Sequence, residues 1–590
     1  MKSRWEGYFR DYRIAIGDAW RRLPLVVLLS LTITALDLIG VGLIAPFVSV
    51  LLGQSLDLRW IEAAMESVGL PGWGAFQVLG VTVMLVFLIK GVLAFFLQKR
   101  IASFAENRRA ELMAMLLRSF QARPYEFHLK HNSSELVNKV VYLTSNYSAG
   151  TLQSSLRLAA DGLVLVAIVA FLFVTDWQAV LILVSLLGGV FWIVSGAVRR
   201  ISARVTQAGY RAGAQVIGAT QQALGGYKEV RILAREQYFR DRLDHWAQEL
   251  ARAVAANSAL AVVPKQAVEA AVIWFLVILS FFAVRWRADG LALVPLLGTF
   301  AVAAVRLMPV VTSLLSSFTL LRAQRELLRE LVEDIRAARE LGAGSIPASP
   351  TPIAQLRFQQ LDVDKVSFGY PDRAERTLDD VSLSIRRGEL VGIMGRSGAG
   401  KSTLADIILG LLVPQLGKVL VNGRDIHEDL REWHAKLAYI PQTIYLIDDT
   451  LRRNIAFGVD DAKIDAARVE QAIEQAQLRD LVAQLPEGLD TVVGERGVRL
   501  SGGQRQRVAI ARALYHEREF LILDEATSAL DAETEREIVR AMGALHGRKT
   551  LVVIAHKASV LADADVVFHL QGGRLESVER RSSAAAEPAP

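Results

Sequence analysis

Six apolar runs, each long enough to cross a bilayer, crowd into the first 325 or so residues of this 590-residue chain. They fall near Leu23–Leu52, Phe76–Leu97, Leu156–Val174, Ala179–Val198, Ala267–Val284 and Leu293–Phe318. A hydrocarbon core about 30 Å thick needs roughly 20 apolar residues in a helix, whose backbone polar groups are satisfied within the segment. Taken singly, any run reads also as a buried helix of a soluble protein; six such runs in one half argue for an all-α membrane domain. After this half the apolar residues follow ordinary α/β patterning, so at least two domains are expected. We place the membrane domain at 1–335, a linker at 336–358 around the small, proline-rich stretch ELGAGSIPASPTP (340–352), and an α/β domain at 359–575. The tail 576–590, ending in RRSSAAAEPAP, reads as disordered.

Basic residues set the orientation. Lys2, Arg4, Arg10, Arg13, Arg21 and Arg22 precede the first run. Lys99, Arg100, Arg108, Arg109 and Arg118 follow the second, and Arg199, Arg200, Arg204, Arg211, Lys228 and Arg231 follow the fourth. The alternate connections are short and poor in positive charge, so both termini are predicted to be cytoplasmic. The same bias accounts for the net charge of +6 without nucleic acid as a partner. The two long cytoplasmic connections read as helical extensions of the spans. Their far ends, Arg123–Leu129 and Gly225–Arg231, read either as elbows that touch the second domain or as plain turns. The first 22 residues lack a cleavable-signal pattern and read as a basic-aromatic helix at the membrane surface. Asp57–Gly69 is amphipathic at helical spacing, either a lipid-surface helix on the outer face or a packed loop helix. With no cysteine, disulfides and thiolate metal sites are excluded.

Three cations stand where lipid penalises them. Lys90 and Arg306 interrupt the second and sixth runs roughly 20 Å below the outer boundary, and Lys265 opens the fifth near its inner edge. At such depth a charge costs about 2.5–3.5 kcal/mol, so it faces a cavity or a partner. One reading is a positive cavity wall for an anionic cargo, with Lys90, Lys265 and Arg306 as substrate residues. The other is internal salt bridges, for which Asp37 and Glu269 are available; Lys265 and Glu269 have helical-pair spacing.

The second half carries the chemistry. An apolar strand from Val391 runs into Gly395-Arg396-Ser397-Gly398-Ala399-Gly400-Lys401-Ser402 and then a helix from Thr403. This strand, glycine-rich loop and helix form a phosphate cradle. Lys401 is suited to the β/γ-phosphates and Ser402 to Mg²⁺. Tyr370 is placed to stack on a base. Gln442 ends the run Ala438–Gln442, within reach of the metal and γ-phosphate. Ser501-Gly502-Gly503-Gln504 opens a helix and forms a second anion site. Phe520–Glu525 is a buried strand ending in two carboxylates, with Asp524 for the metal and Glu525 to polarise the attacking water. His556 ends another strand, where it can contact the γ-phosphate.

In this order the motifs resemble the nucleotide-binding domain of ABC transporters over residues 360–575. Tyr370 takes the place of the A-loop, 395–402 of Walker A, Gln442 of the Q-loop, 500–504 of the signature, 521–524 with Glu525 of Walker B, 528–531 of the D-loop and His556 of the H-loop. The resemblance implies a P-loop ABC ATPase using ATP and Mg²⁺, with ATP held between Walker A of one domain and the signature of another. Because the chain has one copy of each motif, it implies a homodimer. Six spans ahead of such a domain resemble an exporter-type half-transporter. The outer amphipathic stretch, Val305–Pro309 and Ile440–Asp449 are similar to bacterial lipid-linked oligosaccharide flippases of the PglK type. That similarity implies a multi-pass protein of the bacterial inner membrane, moving a polyprenyl-pyrophosphate glycan from inner to outer leaflet. Rivals are an exporter of another lipid, a drug or a peptide, and a regulator that binds ATP without turnover, against which Glu525 and His556 argue.

Overall fold

The computed structural model describes residues 2–51, 75–286, 290–341, 357–371, 375–494, 497–524 and 532–581. The amphipathic stretch 57–69, the core of the linker, Glu525 and the 528–531 motif lie outside them. By packing, the chain divides into a unit of 1–123 with 127–346 and a unit of 124–126 with 347–590.

The first unit is helical. Lys2–Ile16 (α1) precedes Pro24–Gly42 (α2). Three helices far exceed a bilayer's thickness: Ala75–Gln121 (α3), Trp177–Gly225 (α5) and Glu236–Trp286 (α7). Gln153–Thr175 (α4) ends a fourth long rod that begins at Ser133. Tyr227–Ile232 (α6) is a short helix between α5 and α7. Gly290–Ala323 (α8) continues, after a break at Gln324, as Arg325–Glu340 (α9). Six helices are long and apolar enough to cross a membrane, and they coincide with the six runs. Helices α3 and α5 outrun the bilayer because polar helix-formers continue each apolar stretch, and α7 runs on through Pro264. Asp176 alone joins α4 to α5, its carboxylate accepting from the amides of Gln178 and Ala179 at 3.1 Å and so capping α5.

Helix α1 buries Tyr8, Ala15 and Ile16 in one apolar cluster with Leu327, Leu328, Leu331 and Ile335 of α9. Arg336 pairs with Asp11 at 2.9 Å, and the Tyr12 hydroxyl lies 2.6 Å from that of Ser155. Helix α1 thus packs part of its apolar surface on protein, while Phe9 stays exposed. Helix α9 also runs to Glu340, so the helical unit extends past the expected boundary at 335.

The second unit has two sheets. An antiparallel sheet has the order β2-β1-β4-β5, with β1 Gln360–Phe368, β2 Leu378–Arg386, β4 Leu416–Val421 and β5 Arg424–Asp425. The other has the order β10-β9-β3-β8-β7-β6. Its members are β3 Leu390–Gly395, β6 Leu437–Ile440, β7 Phe520–Asp524, β8 Thr550–Ile554, β9 Val566–Gln571 and β10 Arg574–Arg580. All adjacent strands here are parallel except the β9–β10 pair. Strands β7 and β8 are buried at every position, as continuous apolar runs in a covered parallel sheet should be. Residues 576–580, expected to begin a disordered tail, instead continue β10, held by pairing with β9.

Candidate functional site

Register gathers the motifs. Ile393 of β3 pairs with Ile554 of β8, and Ile554 pairs with Asp524 of β7. The phosphate loop after β3, His556 after β8 and the end of β7 therefore leave the sheet along one edge, the carboxyl edge where α/β sheets bind ligands. Ile440 of β6 pairs with Leu523, which brings Gln442 to the same edge, exposed.

Two glycines shape the loop. Gly400 has φ +98°, and a Cβ there would fall 2.7 Å from Leu378 Cδ2 and 2.8 Å from the Thr377 carbonyl. At Gly395 it would fall 2.4 Å from the Leu570 carbonyl oxygen. Arg396, Ser397 and Gly398 form an exposed rim, whereas Ala399 is buried. Helix Lys401–Ile408 (α10) starts at the loop's end, so the amides of Lys401, Ser402 and Thr403 have no acceptor within the helix. Lys401 is 5% exposed. Its ammonium donates to the carbonyls of Gly395 (2.9 Å) and Arg396 (3.2 Å) and lies 3.4 Å from His556 Nε2. The Tyr370 hydroxyl is 3.4 Å from that of Thr403, and the Tyr370 ring meets Phe368 edge-on. These residues fit a nucleotide: a glycine cradle, a helix start, a lysine and an exposed Ser402 hydroxyl at one edge. When bound, ATP supplies the phosphoanhydride whose cleavage drives transport, Ser402 and Asp524 would hold its Mg²⁺, and Lys401 would neutralise phosphate charge.

Ser501 and Gln504 form a reciprocal cap at the start of Gly502–Tyr515 (α11). Ser501 Oγ accepts from the Gln504 amide at 3.2 Å, and Gln504 Oε1 accepts from the Ser501 amide at 2.8 Å. The cap fixes a helix start whose Ser501 is exposed and whose Gly503 is buried.

Sequence reasoning passed over two groups here. Tyr439 on β6 donates its hydroxyl to Asp524 Oδ2 at 3.3 Å, and burial pushes its pKa up. Asp406 on α10 is pushed up to about 6, first by burial and then by the charge of Asp524. The signal was an aspartate inside the apolar run Leu404–Leu412. Because the folded state holds this proton more tightly than the unfolded chain, which titrates near 3.8, Asp406 contributes stability below pH ~4 that is lost as pH rises through about 6. Asp406→Asn is expected to stabilise the nucleotide-free protein at pH 7.5 by about 1–2 kcal/mol after allowance for partial exposure. The gain should vanish towards pH 4 in thermal denaturation; a gain independent of pH would contradict this.

In the helical unit, Lys90 of α3 pairs with Asp37 of α2, and both are largely buried. The Arg306 guanidinium of α8 lies 4.1 Å over the Phe87 ring, and that ring also packs against Gly40 of α2. Lys90 and Arg306 are thus brought into one neighbourhood by Phe87, one turn from Lys90. Lys265 is exposed, and among the described residues it makes no ion pair, so the Lys265–Glu269 pair offered as the alternative to a cavity role is not formed. Asp161 of α4, unremarked in the sequence, accepts from the Ser313 hydroxyl of α8 at 2.5 Å.

Residues 31–314 match the family model of the ABC transporter transmembrane region, and 378–528 that of the ABC transporter. The chain is 33% identical to an ATP-dependent lipid A-core flippase of Cupriavidus metallidurans, over 78% of this chain and 77% of the relative. It is 28% identical to one from Vibrio cholerae, over 93% of each. Its fold resembles that of a bacterial Atm1-family ABC exporter with ATP bound, with TM-score 0.76, 24% identity and 95% of each chain covered. With six candidate spans ahead of a complete phosphate cradle, this chain belongs to the ABC transporter family, as a multi-pass membrane protein of exporter fold that couples ATP hydrolysis to transport.

Proposed function

We propose that two copies of this chain form a flippase of the bacterial inner membrane, with both termini cytoplasmic. ATP clamped between Walker A of one copy and the signature of the other drives an anionic amphiphile from the inner to the outer leaflet. The cargo is a lipid-linked oligosaccharide, a polyprenyl-pyrophosphate glycan. The observation that carries this reading is Arg306: a half-buried guanidinium within a spanning helix, stacked on Phe87, with no carboxylate partner among the described residues. Lys90 differs, since Asp37 already balances its charge. A lone membrane cation is costly unless an anion visits it. The relatives' names support a lipid as cargo and favour a second reading, a different glycolipid moved by the same route.

Arg306→Ala is expected to lower cargo-stimulated ATPase activity in proteoliposomes by about tenfold or more while basal activity stays within about twofold. Stimulation by candidate glycolipids, each with and without its phosphate groups, measures this. Undiminished stimulation of the variant by every anionic lipid would sink the cargo assignment and leave the ATPase reading intact.

A further inference from the structure

The six-stranded sheet has a second populated edge, at the amino ends of its parallel strands. Arg387-Gly388-Glu389 leads into β3, His546-Gly547 precedes β8, Asp565 precedes β9, and antiparallel β10 returns Arg580 and Arg581 to the same place. These residues line a depression of about 350 Å³. The register requires the convergence: Arg580 pairs with Val566, and the Asp565 amide donates to the Leu390 carbonyl at 2.8 Å. The Gly547 amide donates to the Gly388 carbonyl at 3.2 Å, joining the two turns. Strand β3 separates this depression from the phosphate loop by roughly 17 Å, so it is not part of the nucleotide site.

The charges here are unbalanced. Arg387, Arg580 and Arg581 are exposed, and their side chains make no hydrogen bond or ion pair among the described residues. Arg386 and Arg548, adjacent to the lining residues in sequence, are likewise exposed and unpaired among them. Some other arginines of this unit are paired, Arg453 with Asp449 at 2.9 Å and Arg574 with Asp379 at 2.5 Å, so the distinction of this depression is that several unpaired guanidinium groups gather at one place. The two carboxylates in the lining are already engaged. Asp565 Oδ2 accepts from the Leu390 amide at 2.8 Å and meets His546 Nε2 at 2.8 Å, and Glu389 Oε2 accepts from the Arg386 amide at 2.7 Å. Gathered guanidinium groups repel one another unless an anion is bound between them, and their forked donors match phosphate oxygens.

We infer that this depression is a second anion site, taking a compound that bears two or more phosphate charges. Its volume suits a small phosphorylated molecule. The test uses the full-length protein in neutral detergent with the nucleotide site saturated by Mg-ADP, and titrates pyrophosphate by calorimetry. Saturable binding, one per chain and weakened by salt, is expected. The Arg387→Gln/Arg580→Gln double variant should bind about tenfold or more weakly, and the Arg387→Lys/Arg580→Lys variant should recover much of that loss, with ADP affinity equal in all three. Nanodiscs of phosphatidylcholine with and without phosphatidylglycerol separate two sources of the phosphate. Pyrophosphate binding suppressed by phosphatidylglycerol identifies a lipid headgroup; equal binding identifies a soluble compound. Absence of saturable pyrophosphate binding, or wild-type binding by the glutamine pair, overturns the inference.

Discussion

Glu525→Gln is expected to lower ATP turnover by about 10²–10³-fold while leaving ATP affinity within about threefold. Strand β7 ends at Asp524, whose neighbours in register, Ile554 and through it Ile393, lead directly to His556 and the phosphate loop. The described part of β7 thus ends at the edge where Lys401 and His556 meet at 3.4 Å. In the role proposed for Glu525, glutamine keeps the shape and removes the negative charge that would orient and polarise the attacking water. Because that charge acts in the transition state, kcat should fall far more than nucleotide binding. ATP trapped without turnover should also shift the purified protein towards the nucleotide-clamped form, seen as protection of the nucleotide domain in hydrogen exchange. Phosphate release and binding of a fluorescent nucleotide measure the two arms. A variant that keeps half or more of the wild-type turnover would place the general base elsewhere, with His556 the first candidate.

Removing either partner of the Asp37–Lys90 pair should cost about 3–5 kcal/mol of stability, because the other is left as an uncompensated buried charge. Asp37→Ala and Lys90→Ala are therefore both expected to lower the unfolding midpoint of the detergent-solubilised protein markedly. The apolar double replacement, Asp37→Leu with Lys90→Met, removes both charges and should recover most of that loss. The same cycle decides between the two readings of Lys90. If the lysine only ties α2 to α3, the double variant regains cargo-stimulated turnover along with stability. If it also meets the cargo, stability returns and stimulation does not. Single variants as stable as wild type would mean that the pair is not buried in the working protein.

Much of this was legible from the chain because the signals were local. Each span is one uninterrupted apolar run, and hydropathy alone reports it. The phosphate loop announces itself because only glycine fits positions such as Gly395 and Gly400, so spacing and geometry are the same information. What escaped depended on distant partners. Asp37 is legible as a carboxylate available to a membrane cation, and the structure forms that pair; what the runs do not say is that Asp37, 53 residues away, meets Lys90 in particular. Tyr439 reads as an ordinary strand residue until β6 is laid beside β7 and its hydroxyl meets Asp524. The amino-terminal helix carries the amphipathic pattern of a surface helix, and that pattern is equally satisfied by the apolar stripe of α9. Composition at the carboxyl end does not show that Arg574–Arg580 has a strand edge to pair with. The helical unit extends past 335 for a related reason: the polar face of α9 hides its membership, which rests on buried Leu331, Val332 and Ile335.

The proposed ATP-driven movement of an anionic glycolipid can be observed directly. Purified protein in proteoliposomes, with a headgroup-labelled polyprenyl-pyrophosphate glycan, reports transfer between leaflets through accessibility of the label to a membrane-impermeant reagent. Transfer should require Mg-ATP, stop in Glu525→Gln, fall about tenfold or more in Arg306→Ala, and exceed that of the dephosphorylated analogue by a similar factor. Transfer that proceeds equally without ATP, or at the same rate for the charged and neutral glycolipids, would contradict it.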